Sequence, residues 1–292
     1  MLVENSSFTR LEEAIRVAVP TGYTRSISAR LALQRSNVAV ICAHPWGPLG
    51  GSMHDITVMH TLRTFAEAGL TTLRFNFRSG IGRGNQSADD VFFMARYLLD
   101  ELPPLERPTQ LIICGYSYGS IPAAAAVMEI SETIGFVMIA PPLDYAAPLY
   151  LFNHDALITR CCDETANVGK PRLLLIGDRD NFCSMESFEA LASRMPGPKT
   201  VRVVAGLDHF QIYASVPQQV RQWAQRDGLM PIQTSWSERT QQHRQYCGQE
   251  GLKSINQLIA QPGHAILHQG AEQAFAEGCH KTNQHHQPCH RP

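Results

Sequence analysis

Leu111-Ile112-Ile113-Cys114-Gly115-Tyr116-Ser117-Tyr118-Gly119, continued by Ser120-Ile121-Pro122 and the run Ala123 to Ala126, decides how the rest of the chain is read. Residues 111–114 are uniformly apolar and have the length of a strand covered on both faces. The small-residue stretch 119–128 reads as a helix. Between them lies Gly-x-Ser-x-Gly. That string alone carries little weight, but on a strand-to-helix turn it has a mechanical meaning. The glycines let the chain pack tightly around a strained serine, and the helix N-terminus behind it favours developing negative charge. Ser117 is therefore the candidate nucleophile.

The pattern on either side supports such a turn. Strands are predicted at 14–19, 26–33, 37–43, 71–76, 110–114, 135–139, 172–176 and 200–204. Helices are predicted at 56–68, 88–102, 119–128, 184–194 and 217–225. The first strands suit a hairpin. The later strand–helix alternation implies parallel strands joined by right-handed crossovers. The fold class is thus α/β: a mostly parallel sheet with helices on both faces and ligands at the carboxyl ends of the strands.

Two later loops carry partners for a serine. Gly177-Asp178-Arg179-Asp180-Asn181 follows the predicted strand 172–176. An aspartate there can accept the Nδ1–H of a histidine and hold its useful tautomer. Asp180 lies further into the loop, where a side chain can turn back over the strand ends, and is preferred. Asp178 is the alternative, with a turn-stabilising role otherwise. Gly206-Leu207-Asp208-His209-Phe210 follows the strand 200–204 and places His209 last in the order Ser, Asp, His. Its imidazole can take the Ser117 proton and return it to a leaving group. Asp208 reads as a loop-shaping residue.

A fourth segment, His44-Pro45-Trp46-Gly47-Pro48-Leu49-Gly50-Gly51, directly follows the strand 37–43. A Gly-rich loop there can aim a backbone N–H at a tetrahedral oxyanion. Trp46 is the expected first donor and Tyr118, the residue after the nucleophile, the second. His44 is expected to be structural, and His54 to lie at the surface rather than line a pocket.

His44-Pro45 with Gly50-Gly51-Ser52-Met53, Phe75-Asn76-Phe77-Arg78, Gly115 to Gly119, Gly177 to Asp180 and Asp208-His209-Phe210 together resemble small, nearly lidless α/β-hydrolases of the dienelactone-hydrolase and esterase-like group. The resemblance covers about residues 25–228. It implies an α/β-hydrolase fold with a minimal lid, a catalytic triad of Ser117, Asp180 and His209, and a small-molecule acyl substrate. One departure is Arg78-Ser79-Gly80-Ile81-Gly82, where such proteins often carry glycine directly after the arginine. Only 30 residues, 141–170, separate the strand after the elbow helix from the acid strand. They leave room for a helix or two, with Leu143, Tyr145, Leu149, Tyr150 and Phe152 as candidate pocket rim.

Composition bounds the remaining possibilities. The chain has 292 residues, 44% hydrophobic, enough for a sizeable core. Its formal net charge of −1 gives no bulk attraction to nucleic acid or anionic lipid. No run approaches a membrane span, and residues 1–10 lack the apolar stretch of a secretory signal, so a cytoplasmic protein is expected. The eight cysteines are irregularly spaced and expected to be reduced thiols, with Cys42 and Cys114 in the core. Beyond Gly228 the chain turns Gln- and His-rich, with seven of the twelve histidines and no aspartate. A hydrolase domain over 1–228 and a weakly ordered tail over 229–292 are expected. The tail's Cys279-His280, His285-His286 and Cys289-His290 fit no closed tetrahedral pattern, so neither metal nor cofactor is expected. The function expected is a serine hydrolase acting on a carboxylic ester or thioester. The alternatives are an acyltransferase using the same serine, or a non-catalytic binding member of the fold.

Overall fold

The computed structural model describes residues 11–20, 25–78, 85–145, 149–150, 153–163 and 169–231. By its internal contacts the chain divides into a unit over Met1–Ile232 and another over Gln233–Pro292. The second unit lies outside the described residues, as do the tail's cysteine–histidine cluster, Phe152 and the loop 79–84.

Eight strands form one sheet: β1 (Glu13–Ala18), β2 (Ser26–Ala32), β3 (Val38–Ala43), β4 (Thr71–Phe75), β5 (Gln110–Tyr116), β6 (Thr133–Ile139), β7 (Arg172–Gly177) and β8 (Lys199–Val204). Their order is β1-β2-β4-β3-β5-β6-β7-β8. The first pair is an antiparallel hairpin, β2 pairs antiparallel with β4, and every later pairing is parallel. The central strands are apolar throughout because both faces are covered. Along β3, Ala39, Ile41 and Ala43 enter one core, and Val40 and Cys42 the other. Along β5, Leu111 and Ile113 alternate in the same way with Ile112 and Cys114.

The helices fill the crossovers: α1 (Ile56–Glu67), α2 (Asn85–Arg96), α3 (Ser120–Val127), α4 (His154–Cys161), α5 (Met185–Arg194) and α6 (Val216–Arg226). One core draws on α1 and α6 through Val58, Leu62, Phe65, Val220 and Trp223. The other draws on α2, α3, α4 and α5 through Val91, Ile121, Leu157 and Phe188. Asp55 caps α1 by accepting from the N–H groups of Thr57 (2.8 Å) and Val58 (3.4 Å). Every residue of α3 is buried, and its four alanines, Ala123 to Ala126, suit a helix packed closely between the sheet and its neighbours. Pro122 is tolerated because it falls in the first turn.

The expected elements are present, with ends displaced by up to two residues except in α2. That helix stops at Arg96 and continues as a π-turn over Tyr97–Glu101. The strand before the elbow runs on to Tyr116. Between β6 and β7 the described residues form a short turn, Leu143–Tyr145, and α4. There, α4 lies against α3: the Cys161 thiol reaches the Ile121 carbonyl (3.6 Å) and Arg160 donates to the Ala125 carbonyl (3.1 Å). Leu149 and Tyr150, expected at a pocket rim, are buried instead. Past α6, Leu229 packs on the core and Met230 is buried, so the packed chain extends beyond Gly228.

Candidate active site

The elbow is built from backbone. Ser117 has φ +51°, a left-handed conformation that a non-glycine residue holds only where its surroundings enforce it. Two close approaches do so. A Cβ on Gly115 would lie 2.5 Å from the Gly119 carbonyl oxygen. A Cβ on Gly119 would lie 2.5 Å from the His44 carbonyl oxygen and 2.7 Å from the Ala43 carbonyl carbon. Both glycines of the motif are therefore steric requirements. The Ser120 hydroxyl donates to the Ser117 carbonyl (2.6 Å) and locks the turn into α3.

The loop after β3 buttresses this corner from the neighbouring strand, since Ala43 pairs with Gly115. His44 Nε2 accepts from the Phe77 N–H (3.0 Å), so Nδ1 carries the proton and donates to the Pro45 carbonyl (2.5 Å). Burial pushes its pKa down to about 4, keeping the ring neutral and structural. Trp46 follows two residues on. Its carbonyl accepts from the N–H groups of Leu49 (3.2 Å) and Gly51 (3.0 Å), folding the Gly-rich loop back on itself. Tyr118 is buried and held at both ends. Its hydroxyl shares a hydrogen bond with Ser87 (2.7 Å), and its carbonyl accepts from the Tyr150 hydroxyl (2.7 Å). The rings of Tyr118 and Tyr150 stack at 4.9 Å. Tyr150 thus supports the peptide next to the serine from inside the fold.

The other side of the site is built from side chains. His209 Nε2 lies 2.8 Å from Ser117 Oγ, and His209 Nδ1 lies 2.8 Å from Asp180 Oδ2. The Asp180 side chain is fully buried, and its second oxygen accepts from the N–H groups of Phe182 (2.8 Å) and Cys183 (3.1 Å). Asp178 is exposed and acts elsewhere. Its Oδ1 accepts from the Gly206 N–H (2.6 Å), tying the loop after β7 to the loop that carries His209. Gly177 lets those loops touch, since a Cβ there would collide with the Leu207 carbonyl. Asp208 shapes the turn, accepting from Phe210 (2.9 Å) and Gln211 (2.7 Å).

Two residues in this neighbourhood escape sequence reading. Tyr116 donates its hydroxyl to the His209 carbonyl (2.9 Å) and stacks on the imidazole at 5.5 Å. Its place inside the motif is the only sequence signal, and that says nothing of a partner 93 residues away. Phe182 lies against the imidazole at 4.4 Å. Conversely, Arg78 and His54 offer little to a pocket. The Arg78 side chain is buried, paired with Asp90 (2.5 Å) and set over the Phe93 ring. His54 is exposed, with Nδ1 3.1 Å from the Arg74 guanidinium. Arg74 in turn is held by Glu12 in a buried bidentate pair.

No protein-family model matches the chain, and no curated protein matches it in sequence. Solved structures do match. An α/β serine hydrolase without lid from Xanthomonas campestris aligns over 76% of this chain and 97% of its own, with a TM-score of 0.60 at 21% identity. Est1E from Butyrivibrio proteoclasticus aligns over 73% and 98%, with a TM-score of 0.60 at 14% identity. An esterase from Pyrococcus furiosus aligns over 77% and 95%, with a TM-score of 0.58 at 18% identity. Among the described residues no helix is long and apolar enough to cross a membrane. The sheet order, the crossovers and these likenesses agree on the architecture: the chain has the α/β-hydrolase fold.

Proposed function

We propose that the protein is a serine hydrolase that cleaves a carboxylic ester or thioester through an acyl-enzyme intermediate. The observation that carries this reading is the unbroken chain Asp180–His209–Ser117, 2.8 Å at each link, ending on a serine held at φ +51°. In the first step His209 Nε2 accepts the Ser117 proton as Oγ attacks the acyl carbon. Asp180 fixes the Nδ1–H tautomer and stabilises the imidazolium. The N–H groups of Tyr118 and Trp46 are assigned to the oxyanion, and the rigid mounting of Tyr118 suits a preorganised donor. The tetrahedral intermediate collapses, the leaving oxygen or sulfur takes the proton from His209, and the acyl group stays on Ser117. Water, deprotonated by His209, then attacks the acyl-enzyme, and the acid departs as His209 returns that proton to Ser117 Oγ.

Every residue given a chemical role precedes Gly228. The segment after residue 231 is therefore proposed to be dispensable for turnover, with Leu229 and Met230 retained because they pack on the core. The experiment is fluorophosphonate labelling of the wild-type protein and Ser117→Ala, followed by turnover of a short-chain ester. The substitution is expected to abolish labelling and to lower kcat on the order of 10⁵-fold or more with the fold intact. Equal labelling of the two proteins would overturn the reading.

A further inference from the structure

His209 is nearly buried, yet the aromatic surface beside it is open. Phe182 lies 4.4 Å from the imidazole and Phe210 5.4 Å from it. Phe182 also meets Phe210 edge-on at 5.6 Å and Tyr145 at 5.3 Å. Phe210 is 60% exposed and Tyr145 48% exposed, against 2% for His209. One exposed apolar residue needs no explanation, but three adjoining rings against a proposed catalytic base form a patch that does.

The patch is also rigidly mounted. Asp144 ties the loop of Tyr145 to that of Phe182: its N–H donates to the Phe182 carbonyl (3.2 Å), and its carboxylate accepts from the Ser184 N–H (2.7 Å) and the Ser187 hydroxyl (2.5 Å). Phe182 is further anchored through its N–H on Asp180, and Phe210 through its N–H on Asp208. Loops fixed before a ligand arrives lose little backbone freedom on contact, which favours a selective surface.

The chemistry gives the patch a direction. His209 Nε2 must hand its proton to the departing oxygen, so that oxygen comes within hydrogen-bond reach of the imidazole. The group behind it then extends over the surface around His209, whereas the acyl chain stays bonded to Ser117. We infer that Tyr145, Phe182 and Phe210 form a leaving-group subsite that selects esters of arylalkyl alcohols over esters of small alcohols. The inference rests on the proposed hydrolase reading and specifies which half of the substrate is recognised.

The first comparison uses two acetate esters, so that the acyl-enzyme and its hydrolysis are common to both and kcat/KM reports the step that contains the alcohol. Ethyl acetate and 2-phenylethyl acetate are compared, since their alcohols differ little in acidity. The arylalkyl ester is expected to have the higher kcat/KM by about tenfold. Phe210→Ala is expected to lower the ratio between the two esters about threefold to tenfold, the range of one aromatic contact. Tyr145→Ala, which alters a different loop, should move the ratio in the same direction. A second pair, ethyl acetate and ethyl 3-phenylpropanoate, puts the ring on the acyl side, and its ratio should not fall with Phe210→Ala. The inference is overturned if Phe210→Ala leaves the first ratio unchanged, if it lowers both members equally, or if only the acyl-side ratio responds. Those outcomes leave Ser117-dependent labelling in place. Loss of that dependence would instead remove the hydrolase reading.

Discussion

Ser117 and His209 meet across 2.8 Å, yet the two sides of that hydrogen bond are held by different means. On the serine side the fixing contacts are backbone against backbone: Gly115 on Gly119, and Gly119 on Ala43 and His44. On the histidine side they are mainly side-chain hydrogen bonds: Asp180 to Nδ1, Tyr116 at the end of β5 to the His209 carbonyl, Asp208 to the turn and Asp178 to Gly206. A corner made by steric exclusion has no room for one additional methyl group. A corner made by hydrogen bonds responds to each substitution in proportion to the bond lost and to its proximity to the imidazole.

Asp180→Asn should cost the most. Asparagine keeps the size and one acceptor, but its amide favours the wrong imidazole tautomer and offers no charge to the imidazolium. A fall of about 10⁴-fold in kcat is expected with little change in the thermal midpoint. Steady-state kinetics beside a melting curve checks it, and a fall below tenfold would deny Asp180 its role. Gly119→Ala should act on the opposite quantity. The new methyl would face backbone atoms of Ala43 and His44, which belong to a central strand and its immediate continuation and cannot rotate away. A stability loss of about 3 kcal/mol is expected, the upper part of the usual range for overpacking. A wild-type denaturation midpoint for this variant would show that the serine corner is softer than its contacts imply.

That division also explains what the sequence reveals and what it conceals. Ser117 is legible because its requirements are local: a buried strand, two glycines and a small-residue helix within twenty residues. The preference for Asp180 over Asp178 rests on loop position, and the structure brings Asp180 to His209 while Asp178 holds Gly206. Tyr116 and Tyr150 cannot be read, since each is fixed by a partner far along the chain. Tyr150, expected on a rim, turns inward because the Tyr118 carbonyl offers its hydroxyl an acceptor. Arg78, part of the departure from the family pattern, is turned into α2 by Asp90. The placement of β4 outside β3 is likewise a property of the crossovers, and an alternating pattern does not encode it.

Tyr116→Phe probes the middle of the scale. The substitution removes only the hydroxyl that donates to the His209 carbonyl, and leaves the ring that stacks on the imidazole. Burial raises the pKa of this phenol, which keeps it protonated and donating at neutral pH. Losing one buried hydrogen bond costs about 1 kcal/mol, so kcat should fall about tenfold or less, with KM nearly unchanged. Amide exchange over residues 206–211 should quicken in parallel. A KM effect without faster exchange would mean that Tyr116 acts on substrate rather than on the placement of His209.

Asp178→Asn should have the smallest effect, and that is why it separates the two aspartates. Asp178 Oδ1 accepts one hydrogen bond, from the Gly206 N–H at 2.6 Å, and asparagine retains a carbonyl oxygen able to accept it. What changes is the charge, which strengthens such a bond roughly twofold but is screened at an exposed position. The Asp178 N–H donates to the Val204 carbonyl (3.0 Å) and the Arg179 N–H to the Leu207 carbonyl (3.1 Å), so two backbone bonds still join the loops after substitution. A stability loss under about 1 kcal/mol and a kcat within about threefold of wild type follow. The same Asp-to-Asn change two residues apart should therefore differ in kcat by about three orders of magnitude. Equal losses at 178 and 180 would mean that the inter-loop clamp governs His209 as tightly as the bond to its own Nδ1, and the contrast between the two corners would then have to be redrawn around Gly206.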